Sequence, residues 1–162
     1  MSSRRAHPVH LWRAMDCLTL LKQQHDEAKA LFKQLDKAEG AKASQLWNEL
    51  KSKLTMHEEL EERHFYPELR KSKTTEELTL EAYQEHHVMD LLIEEISALE
   101  SSDEAFQPKV TVLQENTEHH IEEEESELFP KVRKIWDAVR REEVGQQMQA
   151  AKLQRQKKTR AA

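Results

Sequence analysis

The sequence predicts an all-α protein: an up-down-up-down four-helix bundle with a short C-terminal tail helix. Long segments of Leu, Glu, Lys, Gln and Ala favour helix by summed propensity, and the 162 residues include only two glycines, Gly40 and Gly145. Apolar residues recur at helical spacing in four segments. The connections between them are short, which makes an antiparallel bundle the economical arrangement.

The first helix is expected from Asp16 to Asp36, with Leu18, Leu21, His25, Ala28, Leu31, Phe32 and Leu35 on one stripe and Gly40 beyond its end. Ser44 is the expected cap of a second helix through Leu46, Trp47, Leu50, Leu54, His57 and Glu61. That helix should stop at Tyr66, because a residue before proline avoids the α region. After a loop from Glu68 to Thr74, the phrase Thr74-Thr-Glu-Glu77 has the form of a capping box. It opens a third helix through Tyr83, His86, Met89, Leu92, Ile93, Ile96 and Leu99. Ser101 to Ala105 interrupts, and Pro108 starts a fourth helix through Val112, Leu113, Asn116, His120 and Glu124 to Phe129. A tail helix from Lys131 to about Gln154 is expected to bend near Gly145. The expected organisation is a flexible arm over residues 1–14, the bundle over 15–145 and a basic helical tail over 146–162.

Charge is unevenly placed. Residues 1–14 carry Arg4, Arg5 and Arg13, and residues 146–162 carry Lys152, Arg155, Lys157, Lys158 and Arg160, with no acid in either stretch. Taking these eight from the 25 Lys and Arg leaves 17 against 31 acids, so residues 15–145 carry a net −14. An acidic body suits cations and repels nucleic acid, so no nucleic-acid partner is expected for the bundle. Cys17 is the only cysteine, which excludes an intramolecular disulfide and a thiolate cluster. No signal-peptide run or membrane span is visible, and the cytoplasm is the expected location.

An eleven-residue phrase occurs twice, at His57-Glu-Glu-Leu-Glu61-Glu-Arg-His-Phe-Tyr-Pro67 and at His120-Ile-Glu-Glu-Glu124-Glu-Ser-Glu-Leu-Phe-Pro130. In each copy a histidine precedes a glutamate by four residues, which stacks the two on one helix face. The repeat extends further: His25 with Ala28, Leu31, Phe32 and Leu35 matches His86 with Met89, Leu92, Ile93 and Ile96. The chain therefore consists of two similar helix hairpins, each with one lone histidine and one His-x-x-x-Glu pair.

A lone histidine on an apolar stripe is more often a hydrogen-bonded core residue than a ligand, and one His-x-x-x-Glu pair is commonplace in acidic helices. Four inward histidines and two inward glutamates in matched positions are different, since without a cation a small core would hold many unpaired polar groups. Imidazole and carboxylate without thiolate suit iron, manganese or zinc, and six donors exceed what one tetrahedral zinc needs. Two metals fit better, iron foremost, with glutamates from opposite hairpins bridging them. His87 and His119 fall about 100° around the helix from their neighbours, at the surface or behind the ligands. His64 and its counterpart Glu127 could extend the ligand set, but the expectation is that they support the ligands through hydrogen bonds, and that Glu58, Glu59, Glu62, Glu122, Glu123 and Glu125 form a solvated face.

His25, His57-x-x-x-Glu61 ending in Tyr-Pro, Glu-His86, and His120-x-x-x-Glu124 ending in Phe-Pro together resemble the hemerythrin-like, or HHE cation-binding, domains. The resemblance runs from about residue 16 into the tail helix. It implies a bundle holding two Fe ions, oxo- or hydroxo-bridged, that binds oxygen. His25, His57, His86 and His120 would be ligands and Glu61 and Glu124 the bridges, with Mn or Zn as possible substitutes. Oxygen-carrying hemerythrins have a further histidine four residues after the third-helix ligand, where this chain has Asp90. Asp90 is expected on the inward face and so joins the candidate ligands; the alternative is an open position filled by water. Either departure leans away from reversible oxygen carriage. Three functions follow as expectations: binding or sensing of oxygen, nitric oxide or iron; an oxidoreductase acting on peroxide or activating oxygen; and a metal-free interaction module. Liganded histidines must be neutral, so metal should be lost as acid protonates them, at or below the free imidazole value of about 6.5.

Overall fold

A computed structural model describes residues 15–161, without the side chains of Thr159 and Ala161. The expected arm over residues 1–14 lies outside the described residues. The helices are α1 (Cys17–Leu35), α2 (Gly40–Leu60), α3 (Tyr66–Leu69), α4 (Glu76–Ser97), α5 (Phe106–Glu123), α6 (Phe129–Ile135) and α7 (Ala138–Ala161). Two π-helical turns, Glu61–Phe65 and Glu124–Leu128, join α2 to α3 and α5 to α6. The architecture is the expected helical bundle, and among the described residues there is no strand.

Several helix ends differ from expectation. Gly40, at φ +55°, opens α2, a backbone position that costs glycine little; Ser44 lies inside the helix and bonds back to the Gly40 carbonyl. No capping box forms at Thr74. Instead buried Thr75 turns its hydroxyl to the Leu69 carbonyl at 2.6 Å, tying the α3–α4 turn together. In α5, Asp103 accepts from the Ala105 N–H at 2.8 Å, so the helix begins two residues before Pro108.

The prolines do not end their helices. The N–H groups of Tyr66 and Phe129 donate to the carbonyls of Glu61 and Glu124, five residues back instead of four. This widened turn lets Pro67 and Pro130 fall in the first turn of the following helix, where a missing N–H is tolerated.

Two apolar clusters fill the interior. One contains Leu31, Phe32, Leu35, Trp47, Leu50, Met89, Ile93, Ile96 and Leu113. The other contains Leu18, Leu21, Leu60, Phe65, Tyr66, Leu69, Leu128, Phe129 and Val132, together with Val144 and Met148 of α7. The α7 helix runs through residue 145, the end expected for the bundle, without interruption. It belongs to the packing: Val144 and Met148 are fully buried, and Arg141 donates to the Asp16 carboxylate, 2.7 Å away, that caps α1. Gly145 is the contact point, since a Cβ there would lie 1.9 Å from the Met15 carbonyl oxygen. Burial, then the charge of Asp16, pushes the Cys17 thiol up to about 12, so the lone cysteine is a protonated core residue.

Gly145→Ala is therefore expected to cost about 1–3 kcal/mol through overpacking against immovable backbone. A circular-dichroism melt identical to that of the unsubstituted chain would show that α7 does not seat against α1.

Candidate metal centre

Between the two apolar clusters lies a polar layer. His25 comes from α1, His57 from α2 with Glu61 at the head of its π turn, His86 from α4, and His120 from α5 with Glu124 heading the second π turn. Five of the six are at most 2% exposed, and His57 is 7% exposed.

Their donor atoms converge. His86 Nε2 and His57 Nε2 lie 3.1 and 3.3 Å from Glu61 Oε2. His25 Nε2 lies 3.2 Å from Glu124 Oε2, and His120 Nε2 is 3.8 and 3.7 Å from the same atoms of Glu61 and Glu124. Two overlapping groups could each hold an ion: His25, His57, Glu61 and Glu124, and Glu61, His86 and His120. Glu61 is common to both.

The fit to a cation can be judged from the atoms themselves. His25 Nε2, His57 Nε2, Glu61 Oε1 and Glu124 Oε2 are buried with no hydrogen-bond partner. His25 Nε2 and Glu124 Oε2 are close but not aligned to bond; both face the space between them. Lone pairs so arranged are costly in a core unless a cation receives them. The outward ring nitrogens supply the second half of the case. Each Nδ1 meets an acceptor: Glu125 Oε1 for His25 (2.9 Å), Gln24 Oε1 for His57 (2.8 Å), Glu62 Oε1 for His86 (3.0 Å) and Glu85 Oε2 for His120 (2.7 Å). An Nδ1–H donated outward places the Nε2 lone pair inward, the tautomer a ligand needs. The residues fit a two-metal centre.

These outward partners follow the repeat. Gln24 and Glu85 each precede a lone histidine and bond the histidine of their own hairpin's pair, while Glu62 and Glu125 follow the paired glutamates and bond the lone histidine of the other hairpin. Glu62 and Glu125 were expected on a solvated face; their matched places in the doubled phrase carried the signal. Glu58, also expected there, is 5% exposed beside Met89 and Thr117 in a small cavity. Burial, with His86 opposing it and Asp90 adding to it, pushes the Glu58 carboxyl up to about 8.

Tyr66 was expected only to end a helix. Its hydroxyl instead enters the centre, donating to Glu124 Oε1 at 2.8 Å and Glu61 Oε2 at 3.1 Å, with His86 Nε2 3.3 Å away. Its counterpart Phe129 stacks on the His25 ring at 5.9 Å. Burial, then the charges of Glu124 and Glu61, hold the phenol well above its ordinary value, so it keeps its proton.

Two expectations are corrected. Asp90 is exposed and belongs to neither donor group, because buried Glu58 stands on the α2 side of that α4 position. His64 is half-buried and lines a groove shared with Arg155 and Lys158 of α7 rather than lying behind the ligands; the π turn adds a residue and rotates it off the His57 face. His87 and His119 are exposed, as expected, and His119 lies 3.5 Å from both Glu85 and Glu123.

A family model for the hemerythrin HHE cation binding domain matches residues 17–132. The chain belongs to this family. As an HHE domain it is a metal-binding helical bundle, and the donor layer is where its His and Glu clusters lie. A crystal structure of an HHE cation-binding domain protein from Mycobacterium kansasii has the same fold, with a TM-score of 0.77 at 22% identity over 86% of each chain. A protein called DNA nickase from Nostoc sp. (strain PCC 7120) is 30% identical over 139 residues. That match covers 85% of this chain but only 39% of the relative, so the chain spans well under half of that protein's length. The expected absence of a nucleic-acid partner draws no support from that relative. Among the described residues, no helix is long and apolar enough to cross a membrane.

Burial pulls the His86 imidazole down, but its hydrogen bonds to Glu61 and Glu62 outweigh this and raise it to about 9. His120 is likewise raised well above its ordinary value, against burial, by the charge of Glu124 and bonds to Glu61 and Glu85. His57 is the exception: burial, opposed by Glu61, lowers it to about 3. The Nε2 atoms of His86 and His120 lie 3.3 Å apart, so in the metal-free chain this pair holds an extra proton at pH 7 that a cation must displace, whereas His57 is already neutral. Metal loading at pH 7 should release at least one proton per chain in weakly buffered solution, and affinity should rise as pH approaches 9. Loading without proton release would contradict this electrostatic layout.

Proposed function

We propose that this HHE domain is a non-haem di-iron protein that binds or senses a small ligand such as oxygen, nitric oxide or peroxide. His25, His57, His86 and His120 would hold the metals, with Glu61 and Glu124 spanning them. The observation that carries the reading is the set of buried Nε2 and carboxylate atoms left without hydrogen-bond partners but aimed at a common space. Six nitrogen and oxygen donors without thiolate favour two irons over a single zinc, and manganese is the nearest substitute.

A bound iron pair supplies the electron change and the affinity for the small ligand. The chain's own residues supply the rest. The outer acceptors fix each imidazole's tautomer, Glu61 and Glu124 neutralise cationic charge, and the apolar clusters on either side exclude bulk water. Tyr66 holds a proton 2.8 Å from Glu124 Oε1, within reach of the centre but not on a metal-facing nitrogen.

An oxidoreductase acting on peroxide is the second reading. It is favoured by two proton-bearing groups at the site, the Tyr66 hydroxyl and the Glu58 carboxyl. Iron-loaded, anaerobic protein distinguishes the two. Binding or sensing predicts a saturable spectral change on admitting oxygen or nitric oxide, reversed on removing the gas. Turnover predicts peroxide consumption above the rate of free iron, reduced at least tenfold in Tyr66→Phe if its proton is used. Protein that responds to none of these ligands would sink both.

A further inference from the structure

The outer hydrogen-bond partners of the four histidines differ in charge at one position only. His25, His86 and His120 each donate Nδ1–H to a carboxylate, from Glu125, Glu62 and Glu85. His57 donates to the neutral amide oxygen of Gln24, 2.8 Å away. The exception interrupts a repeat, since Gln24 and Glu85 occupy matched positions one residue before the lone histidines and bond matched targets. A carboxylate partner pushes electron density onto the imidazole and strengthens its donor nitrogen; an amide fixes orientation without adding charge.

The surroundings of His57 differ as well. It is the most exposed of the four imidazoles, at 7% against 1% for the others. A small cavity beside it is walled by Gln24, Lys53 and Glu58. A groove of about 360 Å³ beneath α7 is also lined by Gln24 and Lys53, together with Lys152 and Arg155. Gln24 and Lys53 thus lie between the donor layer and the groove beneath α7.

We propose that Gln24 is a positioning residue that makes His57 the release point of the centre, so that metal leaves and enters through the His25–His57 half past Gln24. The claim rests on the two-metal reading above and goes beyond it, in making the halves unequal through one outer-shell residue. The substrate of this exchange is a divalent transition cation or a small chelating anion that carries one. Glu85 holds the other half closed by the same hydrogen bond with a charge added.

The test exploits the repeat. Full-length chain is loaded anaerobically with two equivalents of ferrous iron and mixed with excess chromogenic chelator. The wild type should release iron in two phases of about equal amplitude. Gln24→Glu, which is near-isosteric, should slow the fast phase about tenfold, within the range typical of outer-shell partners. Glu85→Gln should accelerate the slow phase by a similar factor. Gln24→Glu should also lower the reduction potential of the centre and Glu85→Gln should raise it, a shift that a packing role alone would not produce. A fast phase unchanged in Gln24→Glu, or single-phase release in the wild type and both variants, would overturn the proposal. Loading that stops below two irons in the wild type would instead overturn the two-metal reading, and this inference with it.

Discussion

Everything in this bundle is arranged around a layer of ionisable side chains buried in its middle. Two carboxylates and four imidazoles lie between two apolar clusters, away from water and short of hydrogen-bond partners. Such groups are tolerated in a core only when their charges and lone pairs are met. The chain meets them from outside with Gln24, Glu62, Glu85 and Glu125, and from within by Tyr66, leaving the inner lone pairs to a cation. The high proton affinity of His86 and His120 shows the same tension, because the carboxylates draw protons onto imidazoles where a metal would sit.

The π turns are the backbone's part in this arrangement. Each begins at the paired glutamate and ends just before the segment carrying proline. In the first copy α-helical spacing keeps His57 and Glu61 on one face, and the widened turn then brings the Tyr66 hydroxyl to the two carboxylates. The same rotation carries His64 away. Wider turns of this kind recur at functional sites because they re-aim side chains without breaking the helix.

The fold class and the convergence of six buried His and Glu side chains are legible in the sequence because both rest on periodicity: helical spacing for the bundle, a 63-residue offset for the doubled phrase. What was missed depends on local geometry that spacing alone does not encode. Proline reads as a helix stop, whereas a π turn absorbs it, which hides Tyr66 and misplaces His64 in the sequence pattern. Asp90 was placed by helical phase alone, with no account of Glu58 from the facing helix. Glu62 and Glu125 looked like an acidic solvated face, yet each reaches a histidine on another helix. The tail helix looked separable by its basic composition, but Gly145 and Met148 seat it against α1 and the core.

The repeat also shows where the two halves part. In the repeat Tyr66 corresponds to Phe129, Glu58 to Ile121 and Gln24 to Glu85. A repeated frame supplies two overlapping groups of donors, and these exchanges make the two halves chemically distinct. The central claim is that the buried donors form a two-metal centre bridged by carboxylates from opposite hairpins. Elemental analysis of anaerobically purified protein tests it most directly. The account predicts two metal ions per chain, predominantly iron, falling to one or fewer when Glu61 and Glu124 are both replaced by glutamine in a chain that remains helical. A wild type holding no metal, or a double variant that retains both ions, would contradict it.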